Sequence, residues 1–315
     1  MRSAGAVLAG DHSMPAFHQA LIIVNPVSGL GQGARIGQRL VQRLAGLGTV
    51  CTVKQTQAEG DARGWSHTAG QEGFEVIVAV GGDGTVAEAV GGLVQAPVKI
   101  PLAHVPVGTA NVIAIALSLP WRIRNAAQVI DQGQVRTFDV GYLPELDRHF
   151  LLMAAIGYPA RIIKDSSRKW KNVFGVFAYL GAGLRNLFAP GHARLEITTE
   201  YAPMTLKAHT VLITNIGRIR QVGFKVAPGT SPHDGKFDVS IISSRTLWDV
   251  IKIFLRLITW RQRTRAMRNF RAENVTVKAD PPLPVQIDGE MIGTTPVTAE
   301  VIRGQVEMVV PTGYR

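Results

Sequence analysis

Residues 81 to 85, Gly-Gly-Asp-Gly-Thr, place a carboxylate, a hydroxyl and three glycines in five positions. Glycines let the backbone come close to a ligand. Unpaired N–H groups at a helix start, with the positive end of the helix dipole, make an anion site. Asp83 is the informative member, because a carboxylate beside a phosphate is repulsive unless a divalent cation or a transferable proton lies between them. Together with the Thr85 hydroxyl, Gly81, Gly82, Asp83 and Gly84 point to metal–nucleotide chemistry rather than simple anion capture. Taken alone, the same residues also read as a tight turn in which Gly takes φ > 0 and Asp closes an Asx-turn, so the flanking chain has to decide.

The flanks carry strand, loop and helix in that order. Glu75 to Val80 is apolar and β-branched after its first member, the pattern of a strand buried on both faces of a parallel sheet. From Val86, the residues Val86, Ala89, Val90 and Leu93 recur at helical spacing. Ala20 to Val24 is a second buried strand, and Pro26 must take the chain out of the sheet at Asn25-Pro26-Val27-Ser28-Gly29. A helix follows with Ile36, Leu40, Val41 and Leu44 on one face and Arg35, Arg39 and Arg43 on the other. Val50 to Lys54 is a third strand, with Thr56 to Asp61 as its loop and Asp61 near the N-cap of the next helix. Ile100 to Val105 is another, followed by Pro106 to Asn111 and a helix expected from Val112 to Leu119, stopped by Pro120.

In an open parallel sheet such strand-to-helix loops all lie at the carboxyl edge, where ligands bind. Asn25, Ser28, Gly29, Thr56, Gly81 to Thr85, Gly108 and Thr109 therefore fall on one edge. A competing motif, Gly29-Leu30-Gly31-Gln32-Gly33-Ala34, fits the dinucleotide fingerprint. Its glycines begin five residues after the strand, and no acidic residue follows about 20 positions on, so its context is wrong.

After Asp139 the texture becomes β-rich, with strands expected at Phe150 to Ile156, Ala193 to Thr199, Ala208 to Asn215, Lys236 to Ile242, Asn274 to Ala279, Pro284 to Asp288 and Val301 to Val310. A chain of 315 residues accommodates two domains. The expected organisation is a tail over 1–19, a nucleotide-binding α/β domain over 20–140 and a β-rich substrate domain over 141–315, whose last strands can return to the first. A single cysteine, Cys51, excludes an internal disulfide and a thiolate cluster. A net charge of +11 calls for a polyanionic partner: nucleotide, nucleic acid or an anionic membrane surface. No run of about 18 uncharged apolar residues appears, so a cytoplasmic protein is expected.

Six segments in order carry a resemblance: NPVSG at 25–29, T-x-x-x-G-D at 56–61, GGDGT at 81–85, P-x-G-T-A-N at 106–111, D-G-K-F-D at 234–238 and I-D-G-E at 287–290. The chain resembles the diacylglycerol kinase catalytic-domain family, which includes bacterial lipid kinases and sphingosine kinases, and more distantly NAD kinase. The resemblance implies a Rossmann-like N-terminal domain with a parallel sheet, a C-terminal β-sandwich, and Mg²⁺ and ATP in the cleft between them. It implies ATP contacts from Asn25, Thr56, Gly81 through Thr85 and Thr109. It implies that Asp288 and Glu290 complete the site with Asp83, Glu290 taking the proton of a lipid hydroxyl, although Asp288-Gly289 also reads as a hairpin turn. A structural metal at Asp234, helped by the carbonyls of Ser231 and Lys236, is implied too, against an Asp-Gly turn. On this reading Asp83→Ala and Glu290→Ala abolish transfer and leave the fold intact.

Three positions depart from the family. Ala87 stands where Asn is common, Val112 stands where Asp often follows GTAN, and Tyr158-Pro159-Ala160 replaces a Gly-Phe-Asp-Ala type segment, which argues against an amino-lipid.

Leu247 to Arg271 carries seven basic residues and no acid after Asp249, interleaved with Trp248, Phe254 and other apolar residues. This is the pattern of an interfacial helix on anionic lipid, or of a packed helix with a solvated basic face. A second basic cluster, Arg161 to Lys171, adjoins Trp170 and Phe174. The expected partners are thus a lipid substrate and an anionic membrane surface, with peripheral association and a homodimer left open. Nucleic acid is not expected, since no helix-turn-helix, RRM or zinc signature accompanies the charge. The expected function is an ATP-dependent lipid kinase acting on a diacylglycerol-like hydroxyl. The alternatives are an NAD kinase and a catalytically silent nucleotide- or lipid-binding protein of the same fold.

Overall fold

The computed structural model describes residues 16–108, 111–157, 160, 192–219, 224–225, 231–244 and 267–314, with backbone alone at 218–219 and 224–225. Thr109, the tail to residue 15, Tyr158 and Pro159, the basic cluster 161–171 and the stretch 247–266 lie outside the described residues.

The first half alternates strand and helix: β1 (Gln19–Val24), α1 (Ser28–Gly31), α2 (Gly33–Ala45), β2 (Val50–Gln55), α3 (Asp61–Thr68), β3 (Val76–Gly81), α4 (Asp83–Gln95), β4 (Leu102–Pro106), α5 (Val112–Ala116) and α6 (Ile123–Gln132). Strands β2, β1, β3 and β4 pair in parallel in that order, and β3 is buried along its whole length. Leu21 and Ile77 point to one face of the sheet, into a core shared with Val86, Ala89, Val90 and Leu93 of α4. Ile22 and Val78 point to the other, against Leu40 and Leu44 of α2. Each fully buried Leu or Ile contributes about 1.5–3 kcal/mol, so this double-sided burial fixes β3 at the centre.

Two helix boundaries differ from expectation. Helix α4 starts at Asp83 rather than Val86, because its first turn faces a cleft and carries no apolar signal. Helix α5 stops at Ala116, three residues early, where Ser118 takes a left-handed φ of 58° that ends helical propagation.

The second half is made of strands: β5 (Gln134–Leu143), β6 (Arg148–Phe150), β7 (Met153–Gly157), β8 (Ala193–Thr199), β9 (Met204–Ala208), β10 (Thr210–Thr214), β11 (Arg218–Ile219), β12 (Phe224–Lys225), β13 (Phe237–Ile242), β14 (Met267–Ala272), β15 (Asn274–Asp280), β16 (Pro284–Ile287), β17 (Glu290–Thr294) and β18 (Val297–Val310). An antiparallel sheet in the order β14-β13-β10-β7-β16-β17 faces β8 and β15. Val211, Ile213, Val239 and Ile241 from the first layer meet Leu195, Ile197, Val275 and Val277 from the second, giving a sandwich core. The long β18 runs between the halves, antiparallel to β5 and β15 and parallel to β4 at Met308↔Leu102. The N-terminal sheet therefore continues into one layer of the sandwich, with β5 running through residue 140.

Residues 267–271, expected at the end of a basic helix, form β14 instead. They pair antiparallel with β13, and Met267 and Ala272 are buried while Arg268 and Asn269 face outward.

Candidate active site

The carboxyl edge of the parallel sheet is built by glycines with three separable tasks. A side chain at Gly81 would lie 2.5 Å from the Thr85 hydroxyl, so this glycine lets α4 fold back over its own strand. A side chain at Gly108 would lie 2.7 Å from the Cα of Gly82, so the loops after β3 and β4 meet backbone to backbone. The carbonyl of Gly81 accepts the N–H groups of Val107 (2.9 Å) and Gly108 (3.4 Å) and lies 3.3 Å from His104 Nε2. Burial pushes the His104 pKa down to about 4, so the ring is neutral. Gly84 differs from both, since a side chain there meets nothing within 4 Å and the residue lines a cleft. Gly84→Ala is expected to keep or raise the melting temperature by removing glycine's helix penalty of about 1 kcal/mol. The same variant puts a methyl group into the cleft beside the N-terminus of α4 and is expected to weaken binding of a polyphosphate there at least about tenfold, as calorimetric titration of both proteins with ATP would measure.

That cleft holds about 970 Å³ and is lined from both halves of the chain, by Asn25, Thr56, Asp83, Gly84 and Thr85 on one side and by Asp288 and Glu290 on the other. Ser28, Gly29, Gly81, Gly82 and Gly108, also expected at the nucleotide, are not among the lining residues. Asn25 is held by its N–H on the Val80 carbonyl (2.9 Å). Its side chain donates to Thr85 Oγ1 (3.3 Å) and accepts the Val27 N–H (3.2 Å). The Thr56 N–H donates to the Val24 carbonyl (2.9 Å). Of the family departures, Ala87 lines the cleft, and Val112 offers its N–H to Asp83.

Asp83 and Asp288 are both anchored on backbone N–H groups. The Asp83 carboxylate accepts Val112 and Ile113, each at 3.0 Å, at the start of α5. Asp288 accepts Leu151 (2.8 Å), Leu152 (3.0 Å) and Met153 (2.9 Å) at the start of β7. Among the described residues neither forms an ion pair with lysine or arginine. Burial raises the Asp83 pKa, against the N–H bonds that lower it. Burial, with the negative charge of Asp83 adding to it, pushes Asp288 up to about 7 despite its three N–H donors. Two acidic side chains that line one cleft, near enough for the charge of Asp83 to raise the Asp288 pKa and without a basic partner, are compatible with a divalent cation such as Mg²⁺. Among the described residues no third His, Cys, Asp or Glu joins them as a ready-made metal cluster. Glu290, at the start of β17, is exposed, and its side chain makes no hydrogen bond or ion pair among the described residues, although its charge attracts Arg148.

Asp234, Ser231 and Lys236 lie away from this cleft, in the loop before β13. The Asp234 carboxylate takes the Arg271 guanidinium and the Lys236 N–H (3.2 Å), and a cation bound there would have to displace Arg271.

Sequence reasoning missed a second ring of cleft residues. Arg63 on α3 pairs with Asp147 (2.8 Å), and Arg148 at the start of β6 pairs with Glu59 (2.5 Å), so both ion pairs cross the cleft. The partners are 84 and 89 positions apart, and nothing local signals them. His149 stacks on Tyr142 with ring centroids 4.7 Å apart. Burial, followed by the charge of Arg63, pushes its pKa down to about 4.

Residues 19–143 match the family model for the diacylglycerol kinase catalytic domain. Residues 153–310, half of the chain, match the model for the YegS C-terminal NAD kinase beta sandwich-like domain. The chain belongs to the diacylglycerol kinase catalytic-domain family. It is 28% identical over 299 residues to a diacylglycerol kinase of Staphylococcus carnosus, covering 93% of this chain and 95% of that protein. A diacylglycerol kinase of Bacillus subtilis is likewise 28% identical, over 93% of this chain and 96% of its own. An uncharacterized protein of Synechocystis is 32% identical over 76% of this chain, and the match spans 56% of that longer relative. A solved Bacillus anthracis structure shares the fold with a TM-score of 0.79 at 23% identity, covering 94% of this chain and 98% of its own. Among the described residues, no helix is long and apolar enough to cross a membrane.

Proposed function

We propose that this chain is an ATP-dependent lipid kinase that transfers the γ-phosphate of ATP to the hydroxyl of a diacylglycerol-like lipid. The observation that carries the reading is the meeting of Asp83, from the nucleotide-side sheet, with Asp288 and Glu290, from the sandwich, in one cleft beside the N-terminus of α4. Phosphoryl transfer depends on positioning and charge neutralisation more than on covalent help from the protein. Asp83 and Asp288, each locked on backbone N–H groups, are suited to hold charge in fixed places. Glu290 is free to move and suited to accept a proton. In the transfer, the lipid oxygen forms a bond to the γ-phosphorus as the bond to the β,γ-bridging oxygen breaks. The hydroxyl proton passes to Glu290, and ADP leaves. A magnesium ion held by Asp83 and Asp288 would supply neutralisation of the polyphosphate charge.

A structural metal at Asp234 is not included, because Arg271 supplies the cation there. The kinase reading is tested with radiolabelled ATP against diacylglycerol, ceramide, sphingosine, polyprenol and NAD. Label in NAD would favour the NAD kinase alternative, and no labelled product with any acceptor would favour a silent binding protein. Peripheral membrane association belongs to the same proposal and rests on the basic stretch of the sequence. Charge-removing changes at Arg261, Arg263 and Arg265 are expected to lower cosedimentation with phosphatidylglycerol vesicles several-fold, at about 1 kcal/mol per charge near the surface, and unchanged cosedimentation would reject the assignment.

A further inference from the structure

The charge lining of the cleft is unbalanced. Six carboxylates face it, from Glu59, Asp83, Glu88, Asp147, Asp288 and Glu290, against two guanidinium groups, Arg63 and Arg148, among the described residues. A polyphosphate entering such a site meets repulsion on most sides, and one metal position cannot serve every phosphate oxygen. Backbone amides at α4 supply dipoles but no net charge. We propose that Arg63 and Arg148 bind the phosphate oxygens of the nucleotide, each leaving its carboxylate partner, Asp147 or Glu59, to do so. The inference rests on the kinase reading and names residues that the sequence motifs of the family do not include.

Three features of the structure support the exchange. First, the side chains are presented by rigid elements. Helix α3 presses on α4 at Gly92, where an added side chain would lie 2.9 Å from Ser66 Cβ, and Arg63 Nε lies 3.8 Å from the corresponding point on Gly91. Arg148 opens β6, which pairs with β5. Second, the present partners are weakly held. The Asp147 and Glu59 side chains are 54% and 69% exposed, and ion pairs at such positions contribute little to stability. Third, the carboxylates are provided for when the arginines leave. Asp147 keeps the Tyr142 hydroxyl, which donates to its second oxygen at 3.3 Å, and Glu59 is already largely in water. Guanidinium is also the group whose planar fork matches two phosphate oxygens at once.

A clamp whose purpose is structural predicts affinity changes of the same sign for the two members of each pair, and a pair that exchanges partners predicts opposite signs. The test measures ATP and adenosine binding to the full chain without lipid, by calorimetric titration with Mg²⁺ present, alongside melting temperatures. Arg63→Met and Arg148→Met are each expected to weaken ATP binding about tenfold and leave adenosine binding unchanged. Glu59→Gln and Asp147→Asn, which keep the arginines and release them, are expected to tighten ATP binding several-fold with no rise in melting temperature. Affinity changes of the same sign in both members of a pair would overturn the inference, as would equal losses for ATP and adenosine. Wild-type binding of ATP with all four variants unchanged would overturn the inference alone, whereas a wild-type chain that does not bind ATP would overturn the kinase reading together with it.

Discussion

Glu290→Gln is expected to lower phosphoryl transfer by about 10²- to 10⁴-fold, the usual contribution of a positioned general base. The Michaelis constant for ATP and the melting temperature are expected to stay where they are. The separation follows from how the three acidic side chains are held. Asp83 and Asp288 are committed to five backbone N–H groups between them, so neither can approach an acceptor hydroxyl without breaking contacts that the fold uses. Glu290 is exposed and lines the same cleft, its side chain makes no hydrogen bond or ion pair among the described residues, and removing its charge loses only a longer-range attraction to Arg148. Glutamine keeps the size and hydrogen-bonding reach of glutamate and loses the basicity. Full transfer activity in a folded Glu290→Gln protein would return the base role to Asp288 or remove it altogether.

The same contacts revise what the Asp83 change tests. Read as a bare loop residue, Asp83 could be removed with the fold intact. In the structure Asp83→Ala leaves the Val112 and Ile113 N–H groups without their acceptor, so lost activity there mixes chemistry with the docking of α5.

The first half was legible because three of its strands, β1, β3 and β4, are buried on both faces. Continuous apolar runs such as Ile77 to Val80 have one stable place, the middle of a parallel sheet, and the loops after them must share an edge. The Asp288 position shows why the second half of the site was harder to read. As a local pattern, Ile-Asp-Gly-Glu is a hairpin turn, and it is one: Asp288 and Gly289 take φ of 45° and 93° between β16 and β17. The turn and the site are the same residues, since the left-handed backbone at Asp288 goes with a carboxylate bonded to the chain entering β7. Resemblance identified that residue and local chemistry could not. Arg63 and Arg148 were invisible for a different reason. Their role depends on two segments more than 80 positions apart being brought face to face, and a single arginine on a helix or at a strand start carries no pattern. Arginines 268 and 271 misled in the opposite direction, because a basic run has the same composition whether it forms a helix or, as here, part of an edge strand.

Asp288→Ala is expected to cost about 3 kcal/mol of unfolding free energy and to abolish transfer. Three backbone N–H groups lose their acceptor, at about 1–3 kcal/mol for each one left unpaired, and the low end applies because the cleft admits water. Asp288→Asn separates shape from charge and makes the pH dependence readable. The folded protein holds the Asp288 proton up to a pKa of about 7, while the unfolded chain releases it near 4. Between those values the folded state binds more protons at this site. The proton-linked part of the stability it contributes is therefore fully present below about pH 4, falls as pH rises to about 7, and is absent above. His104, His149 and His209 act in the opposite direction, because their pKa values are pushed down to about 4 and their burial as neutral rings favours the folded state as pH rises. A denaturation series on the wild type alone would show the sum of these effects. The difference between wild type and Asp288→Asn cancels the histidines, and it is expected to decline from pH 5 to pH 7.5 in the absence of metal. Magnesium would flatten that decline by favouring the ionised carboxylate, if the pair of aspartates holds it. A difference that stays level with pH in metal-free buffer would show that Asp288 is ionised throughout, and that its three N–H donors outweigh both its burial and the neighbouring charge of Asp83.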